Sequence, residues 1–240
     1  MTAIASDSSL IESLPLLAQL GREELARILG ASTVQHYPPG AVIFREGEQP
    51  DTLDVVVSGT VEIYCNANGR EWGAMLMNSG DIIAPGAALF DEPHAVCART
   101  LGPCRILLID GACIRAEART CAPLAMHLAR ALAGQFRVAI RQVIDLKSRN
   151  AAQRLGSFLL KLADRSNVPM PELPMRKRNL AARIGMTPET LSRTLQILAD
   201  NGLVVRGRQI IVRDRERIED FCGPEPYRPP AEDALQVHVL

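Results

Sequence analysis

The sequence predicts an α+β chain in three parts: a β-barrel or sandwich of short strands, one long amphipathic helix, and a basic C-terminal unit of two helices across a turn with a hairpin behind them. Three observations carry this. Between Val34 and Asp110, short apolar runs such as AVIF, LDVVV, TVEIY, GDII and CRILLI are punctuated by Gly40, Gly47, Gly59, Gly69, Gly73, Gly80, Gly86 and Gly102, the spacing of strands joined by turns. Residues 120–148 hold no proline after Pro123, and Leu132, Phe136, Ala139, Val143 and Leu146 recur at steps of 4, 3, 4 and 3, the seam of a coiled coil. Finally, 27 Lys and Arg balance 27 Asp and Glu overall, yet residues 149–220 carry 14 basic against 8 acidic side chains.

The elements follow in order. Residues 11–29 show helical spacing through Leu17, Leu20, Leu25, Ile28 and Leu29 and lead into the β-rich segment; together they form a domain over 1–119. The long helix occupies 120–148. Its seam suits an identical partner, or packing on its own domain if the helix is merely amphipathic. A further helix spans Ala151 to Arg165, and Val168-Pro-Met-Pro-Glu-Leu-Pro174 reads as a linker or short strand, since its prolines forbid a helix. The basic unit is placed at 149–221. Residues 222–240 form a proline- and acid-rich extension expected to be mobile, in which ALQVHVL has the pattern of a short strand.

Residues 177–200, KRNLAARIGMTPETLSRTLQILAD, hold two helical patterns flanking a break. Leu180 and Ile184 give the first an apolar face, Ala181 allows close helix approach, and Gly185 suits the turn. Thr187 is an N-cap, with Pro188 at the first helical position and Glu189 in the first turn. Leu191, Leu195 and Leu198 then face inward, leaving Glu189, Ser192 and Arg193 on the exposed face, where a recognition helix presents side chains to base edges. Arg193 can grip guanine O6 and N7, Glu189 can accept from a cytosine amino group, and Ser192 can pair or pack beside them. After Asn201-Gly202, LVVRGRQIIVR reads as a hairpin wing with Arg206 and Arg208 at its tip. Lys177, Arg178, Thr187, Thr190 and Arg208 are placed to contact phosphates. The concentrated charge of this segment fits double-stranded DNA.

Other functions are argued against. An apolar fraction of 47% suits a folded protein. No apolar run approaches the roughly 18–20 residues that span a bilayer, and Met1–Leu10 lacks the pattern of a secretory leader, so a cytoplasmic protein without a membrane partner is expected. Cys65, Cys97, Cys104, Cys113, Cys121 and Cys222 form no C-x-x-C pair, so no metal site is assigned; buried free thiols or a thiol redox sensor are the two readings. Neither a G-x-x-x-x-G-K-[ST] loop nor a G-x-S-x-G elbow occurs, and no enzyme is expected.

With FREGEQPDTLDVVVSGTVEIY, GDIIAPGAALFDE and TPETLSRTL in view, the chain resembles the cyclic-AMP receptor and FNR family of bacterial transcription regulators, nearly throughout to Phe221. The resemblance implies a β-roll of cyclic-nucleotide-binding type, dimerisation through the long helix, a winged helix-turn-helix, and RNA polymerase as a further partner. The pattern E-x-x-S-R is similar to the FNR branch and implies a TTGAT-type palindrome read by Glu189, Ser192 and Arg193. The sensor departs from its relatives. Residues 1–64 hold no cysteine for an FNR-type iron–sulfur cluster. Gly86 stands where the cyclic-AMP receptors place a ribose-binding glutamate, His94-Ala95 where they place Arg-Ser, and Ala139-Ile140 where they place Thr-Ser, so cyclic AMP is not expected. The haem-binding branch puts its ligands at the segment aligned with Ala84-Pro85-Gly86, where they are missing; His94, Cys97 and His127 stay as packing residues or, alternatively, haem ligands. The effector pocket outlined by Pro85, Gly86, Ala87, Ala88, His94, Ala95, Ala139 and Ile140 is small and apolar. It suits an apolar or haem-like ligand, or none, and no cofactor is assigned. The expected function is sequence-specific transcription regulation as a homodimer, by family precedent activation, with a constitutive DNA-binding protein or a thiol or haem redox sensor as alternatives.

Overall fold

The glycine-punctuated apolar runs fold as two antiparallel sheets. The computed structural model describes residues 9–67, 69–165, 171–173, 180, 186–224 and 238–239, divided between two units, Met1–Val138 with Ala231–Leu240 and Ala139–Pro230. In the first unit, α1 (Arg22–Gly30) precedes β1 (Ser32–Tyr37), β2 (Val42–Phe44), β3 (Thr52–Ser58), β4 (Val61–Ala67), β5 (Arg70–Met77) and β6 (Ile82–Ile83). Then come α2 (Pro85–Phe90), β7 (Cys97–Thr100), β8 (Cys104–Asp110), α3 (Gly111–Thr120) and the long α4 (Ala122–Ser148), which runs into the second unit. One sheet has the order β1-β8-β3-β6; the other runs from β5 through β4 and β7 to β2, with the short β11 (His238–Val239) on the β5 edge.

Strand β3 shows why the run LDVVV is continuously apolar. Leu53, Val55 and Val57 join Ile28, Ile114, Leu124 and Leu128 in a core between the four-stranded sheet and the helices. Val56, on the opposite face, joins Phe44, Val61, Ile63, Met77, Ala98 and Ile106 between the two sheets. A strand covered on both faces has no use for alternation. At the β3–β4 turn, Gly59 has φ +98°, and a Cβ there would lie 2.5 Å from Cys104 Sγ and 2.6 Å from the Pro103 carbonyl; glycine is required.

Helix α4 runs 27 residues, about 40 Å at 1.5 Å per residue. It has two apolar aspects. Leu124, His127, Leu128, Ala131 and Gly134 are buried, and Gln135 Nε2 donates to the Ile82 carbonyl at 2.8 Å. The other aspect leaves Phe136 66%, Val143 45% and Leu146 62% exposed.

The second unit is helical with a small sheet: α5 (Ala151–Arg165), α6 (Pro188–Asp200), the hairpin β9 (Leu203–Arg206) and β10 (Gln209–Val212), and α7 (Arg215–Cys222). Leu155, Leu159, Leu180, Leu191, Leu198, Leu203, Ile210 and Ile218 form its core. The proline-rich stretch read as a linker or short strand contributes a third edge to the hairpin. Glu172 bridges Gln209, Leu173 N–H donates to the Arg208 carbonyl at 2.7 Å, and Ile210 N–H donates to the Pro171 carbonyl at 2.8 Å.

The start of the expected mobile extension is tied down. Helix α7 runs through Cys222, and the Gly223 and Pro224 carbonyls accept from Arg149 at 3.0 and 2.7 Å. At the far end of the chain, His238 and Val239 pair with Leu76 and Met75.

Candidate nucleic-acid interface

Helix α6 is built to begin sharply. Thr187 has extended backbone, and its side chain accepts the Thr190 N–H at 3.2 Å, which satisfies one of the unpaired donors of the first turn. Pro188 follows at the first position, where a missing N–H costs nothing. Leu191, Thr194 and Leu198 are buried at steps of 3 and 4, so the helix faces inward along that stripe. Glu189, Ser192, Arg193 and Gln196 are exposed on the rest of its surface.

The polar groups of this face are pre-arranged. Glu189 is held below the usual carboxylate range, first by its own backbone N–H and then by the Thr187 hydroxyl, so it is an ionised acceptor. Ser192 Oγ donates to the Pro188 carbonyl at 3.0 Å, leaving its lone pairs outward. Thr190 Oγ1 lies 3.1 Å from Thr187 Oγ1. Gln196, which the sequence reading passed over, shares the exposed face one turn beyond Arg193 and donates to Asp200 at 3.3 Å; its step of 7 from Glu189 was the available signal.

Behind the helix, Asn201-Gly202 turns the chain into the wing. Gly202 has φ +95°, and a Cβ would lie 2.5 Å from the Asp214 carbonyl. The wing turns at Gly207-Arg208, since Arg206 pairs with Gln209. Arg206 is exposed. Arg208 is braced: its Nε and Nη2 donate to the Leu173 carbonyl at 3.2 and 2.8 Å, and Glu172 lies 3.7 Å away. The pairing of residues 171–173 that creates this brace is invisible as sequence periodicity. Lys177, Arg178, Ala181, Ile184 and Gly185 lie outside the described residues; Leu180 is fully buried.

On the sensor side, Pro85 and Ala88 of α2 are buried, and Gly86 and Ala87 are half-buried. Leu132 of α4 lies 3.9 Å from where a Cβ on Gly86 would be. Two non-glycine residues in left-handed backbone bracket α2, Ala84 at φ 43° and Asp91 at φ 58°. His94 is buried and stacked on Phe44, with ring centroids 3.6 Å apart. Ala95 is exposed. On α4, Ala139 is half-buried and Ile140 is 41% exposed. Of the other candidate ligands, Cys97 Sγ accepts from Glu46 N–H at 3.4 Å, and burial pushes His127 below the ordinary histidine range. Among the described residues no group of three His, Cys, Asp or Glu could hold a metal ion. A cleft of about 510 Å³ lies along β1 and β8 beside His36, Tyr37, Ser58 and Arg105, away from α2.

Residues 34–120 match the cyclic nucleotide-binding domain, and residues 153–221 match the Crp-like helix-turn-helix domain. The chain belongs to the cyclic-AMP receptor and FNR family of DNA-binding transcription regulators. The regulator is 28% identical over 210 residues to the Cyclic AMP receptor protein of Thermus thermophilus, covering 87% of this chain and 96% of that protein. It is 29% identical over 186 residues to the nitrogen fixation regulation protein FixK of Azorhizobium caulinodans, covering 73% of each. Its fold superimposes on FixK2 from Bradyrhizobium japonicum with a TM-score of 0.62 at 27% identity, over 79% of this chain and 96% of that one. These relatives are regulators rather than enzymes. No helix among the described residues is long and apolar enough to cross a membrane.

The matched domain type implies a cyclic nucleotide, and the residues around α2 do not fit one. Its phosphate needs a cation or several donors. The regulator offers His94, which is buried, kept neutral by burial, and face-on against Phe44, and Arg115, whose Nη1 donates to the Ala88 carbonyl at 2.8 Å and lies 3.4 Å from Asp91. Arg99, on β7, is committed to Glu62 at 2.8 Å, to Glu71, and to the Tyr64 ring at 4.3 Å.

Proposed function

We propose that the regulator binds a palindromic, TTGAT-like DNA site as a homodimer. Glu189, Ser192 and Arg193 read base edges in the major groove, while Thr187, Thr190, Lys177, Arg178 and the braced Arg208 contact phosphates. The observation that supports this best is the exposed, capped N-terminal half of α6, where an ionised Glu189 and a fork-shaped Arg193 share one face. The two copies meet along Leu132, Phe136, Ala139, Val143 and Leu146, whose exposed members have no other evident use. In a dimer the recognition helices would lie about one DNA turn, roughly 34 Å, apart.

The β-roll serves as the sensor. Its effector region at Pro85, Gly86, Ala87, Ala88, His94 and Ala95 suits an apolar or haem-like ligand, or none, in preference to a cyclic nucleotide. The regulator works in the cytoplasm and activates transcription through RNA polymerase; relatives named global transcriptional regulators support a role in transcription. A gel-shift titration on TTGAT-type and scrambled palindromes tests the reading. Arg193→Ala costs roughly 1–3 kcal/mol at the cognate site and relaxes preference at one guanine. Unchanged affinity and selectivity would remove Arg193 from the base-reading set.

A further inference from the structure

Among the described residues, one buried side-chain nitrogen or oxygen has no hydrogen-bond partner: Nδ1 of His94. The residue around it is a junction. His94 is 7% exposed, and its ring lies on Phe44 of β2 with planes 5° apart. Its backbone ties two segments together, since Gly47 N–H donates to the His94 carbonyl at 2.8 Å and His94 N–H donates to the Glu48 carbonyl at 2.9 Å. A single residue thus closes the β2–β3 loop onto the segment that joins α2 to β7. We propose that His94 is an acid-sensitive latch, holding these two segments together while its imidazole is neutral and releasing them when it takes up a proton.

The chemistry is one-sided. In the neutral ring, a proton on Nε2 leaves only a lone pair at the buried Nδ1. Protonation turns that atom into a charged N–H donor facing no acceptor, the costliest kind of unpaired group. Two effects oppose this. An imidazolium gains attraction to the Phe44 face, and the Glu48 carboxylate favours the charged form. Glu48 is half exposed and already accepts the Arg45 N–H at 2.8 Å, with the Arg45 guanidinium 3.8 Å away, so its field is partly neutralised and screened by water. Burial prevails and holds His94 below its ordinary value of 6.5. The other charged groups on the segment are exposed: Asp91, which Arg115 approaches to 3.4 Å, and Glu92. On the β7 side, Cys97 Sγ takes the Glu46 N–H at 3.4 Å.

Left-handed residues flank the helix that precedes the latch. Asp91, in left-handed backbone, lies three residues before His94, and Ala84, also left-handed, opens α2. Aspartate adopts that conformation readily past a helix end, whereas at Ala84 it is strained.

The sign of the pH effect follows. A histidine whose closed-state value is lowered contributes to closure fully above about pH 6.5, and the contribution is lost as pH falls from 6.5 through the lower value. Asp54 and Asp81, both pushed up to about 6 by burial, titrate in the same window with opposite sign, so the latch is tested by comparing variants. Amide exchange is followed by NMR on the full chain from about pH 7.5 to about pH 5.5. In the wild type, the protection factors of the Gly47 and His94 amides fall at least about tenfold. In His94→Phe, which keeps a ring on Phe44 and cannot be protonated, the corresponding amides change less than about twofold. The same fall in both proteins would overturn the latch. Should the variant not fold, the imidazole titration of the wild type decides: a midpoint below 6.5 that coincides with the loss of protection supports it, and one at or above 6.5 refutes it.

Discussion

Particular sites in the two units treat buried polar groups in opposite ways. In the DNA-binding unit, the Arg149 side chain is 7% exposed and fully engaged: it donates to Asp145 at 3.1 Å, Ser157 at 3.0 Å and the carbonyls of Gly223 and Pro224 at 3.0 and 2.7 Å. In the sensor unit, Asp54 is equally buried, with the Thr52 hydroxyl at 2.5 Å as the contact that offsets its burial, and His94 Nδ1 has no partner. A saturated network fixes one geometry; an under-satisfied one leaves competing arrangements close in energy. The Arg149 site in the DNA-binding unit has the first arrangement; in the β-roll, the Asp54 and His94 sites have the second, while Glu117 and Glu62 are paired with Arg27 and Arg99. The DNA-binding helix exposes ordered polar groups, whereas the outer aspect of α4 exposes apolar ones.

Three substitutions break or sharpen this comparison. The largest effect is expected from Phe136→Glu, on the exposed apolar stripe. Sedimentation should show a monomer at micromolar concentration, with DNA affinity reduced at least about a hundredfold, or about 2.7 kcal/mol at the DNA, and more in the dimer itself. A dimer that persists unchanged would remove the stripe from the interface.

Asp54→Asn comes next in certainty of sign. Burial raises Asp54 from 3.8 to about 6, so its ionised form burdens the sensor unit at neutral pH. The amide should stabilise the unit at pH 7 by up to about 3 kcal/mol, at 1.36 kcal/mol per pKa unit. The advantage fades as pH falls through about 6 and is gone below 3.8. Urea unfolding at neutral and acid pH checks it, and an amide variant less stable at pH 7 would mean that Asp54 has a buried partner after all. Thr187→Ala is the smallest. Loss of the cap costs about 1 kcal/mol in the DNA-binding unit, visible in urea unfolding, and the cost is independent of pH between 5 and 8 because no titrating histidine is involved. A pH-dependent loss would blur the distinction between the units.

The DNA-binding helix was the most legible part of the chain, because a cap, a proline, an acidic first turn and a 3–4 apolar step are local chemistry. Thr187 does accept the Thr190 N–H, and Glu189, Ser192 and Arg193 are exposed as the spacing required. The brace on Arg208 was not legible, since it depends on the pairing of Pro171–Leu173 with β10 across some 35 residues of chain. The effector region was legible only as a resemblance. That His94 lies against Phe44, with one nitrogen buried and unpaired, depends on a strand and a connecting segment 50 residues apart in sequence.

By itself, the sequence determined the class of fold, the order of its parts, the start of the recognition helix and the segregation of basic charge, because each follows from residues within a few turns of one another. The tertiary structure alone decided which polar groups are satisfied and which are stranded: Arg149 with four partners, Asp54 with one hydroxyl, His94 Nδ1 with none. Hydrogen-bond satisfaction and desolvation are properties of a site assembled from distant segments, and no local pattern of residues encodes them.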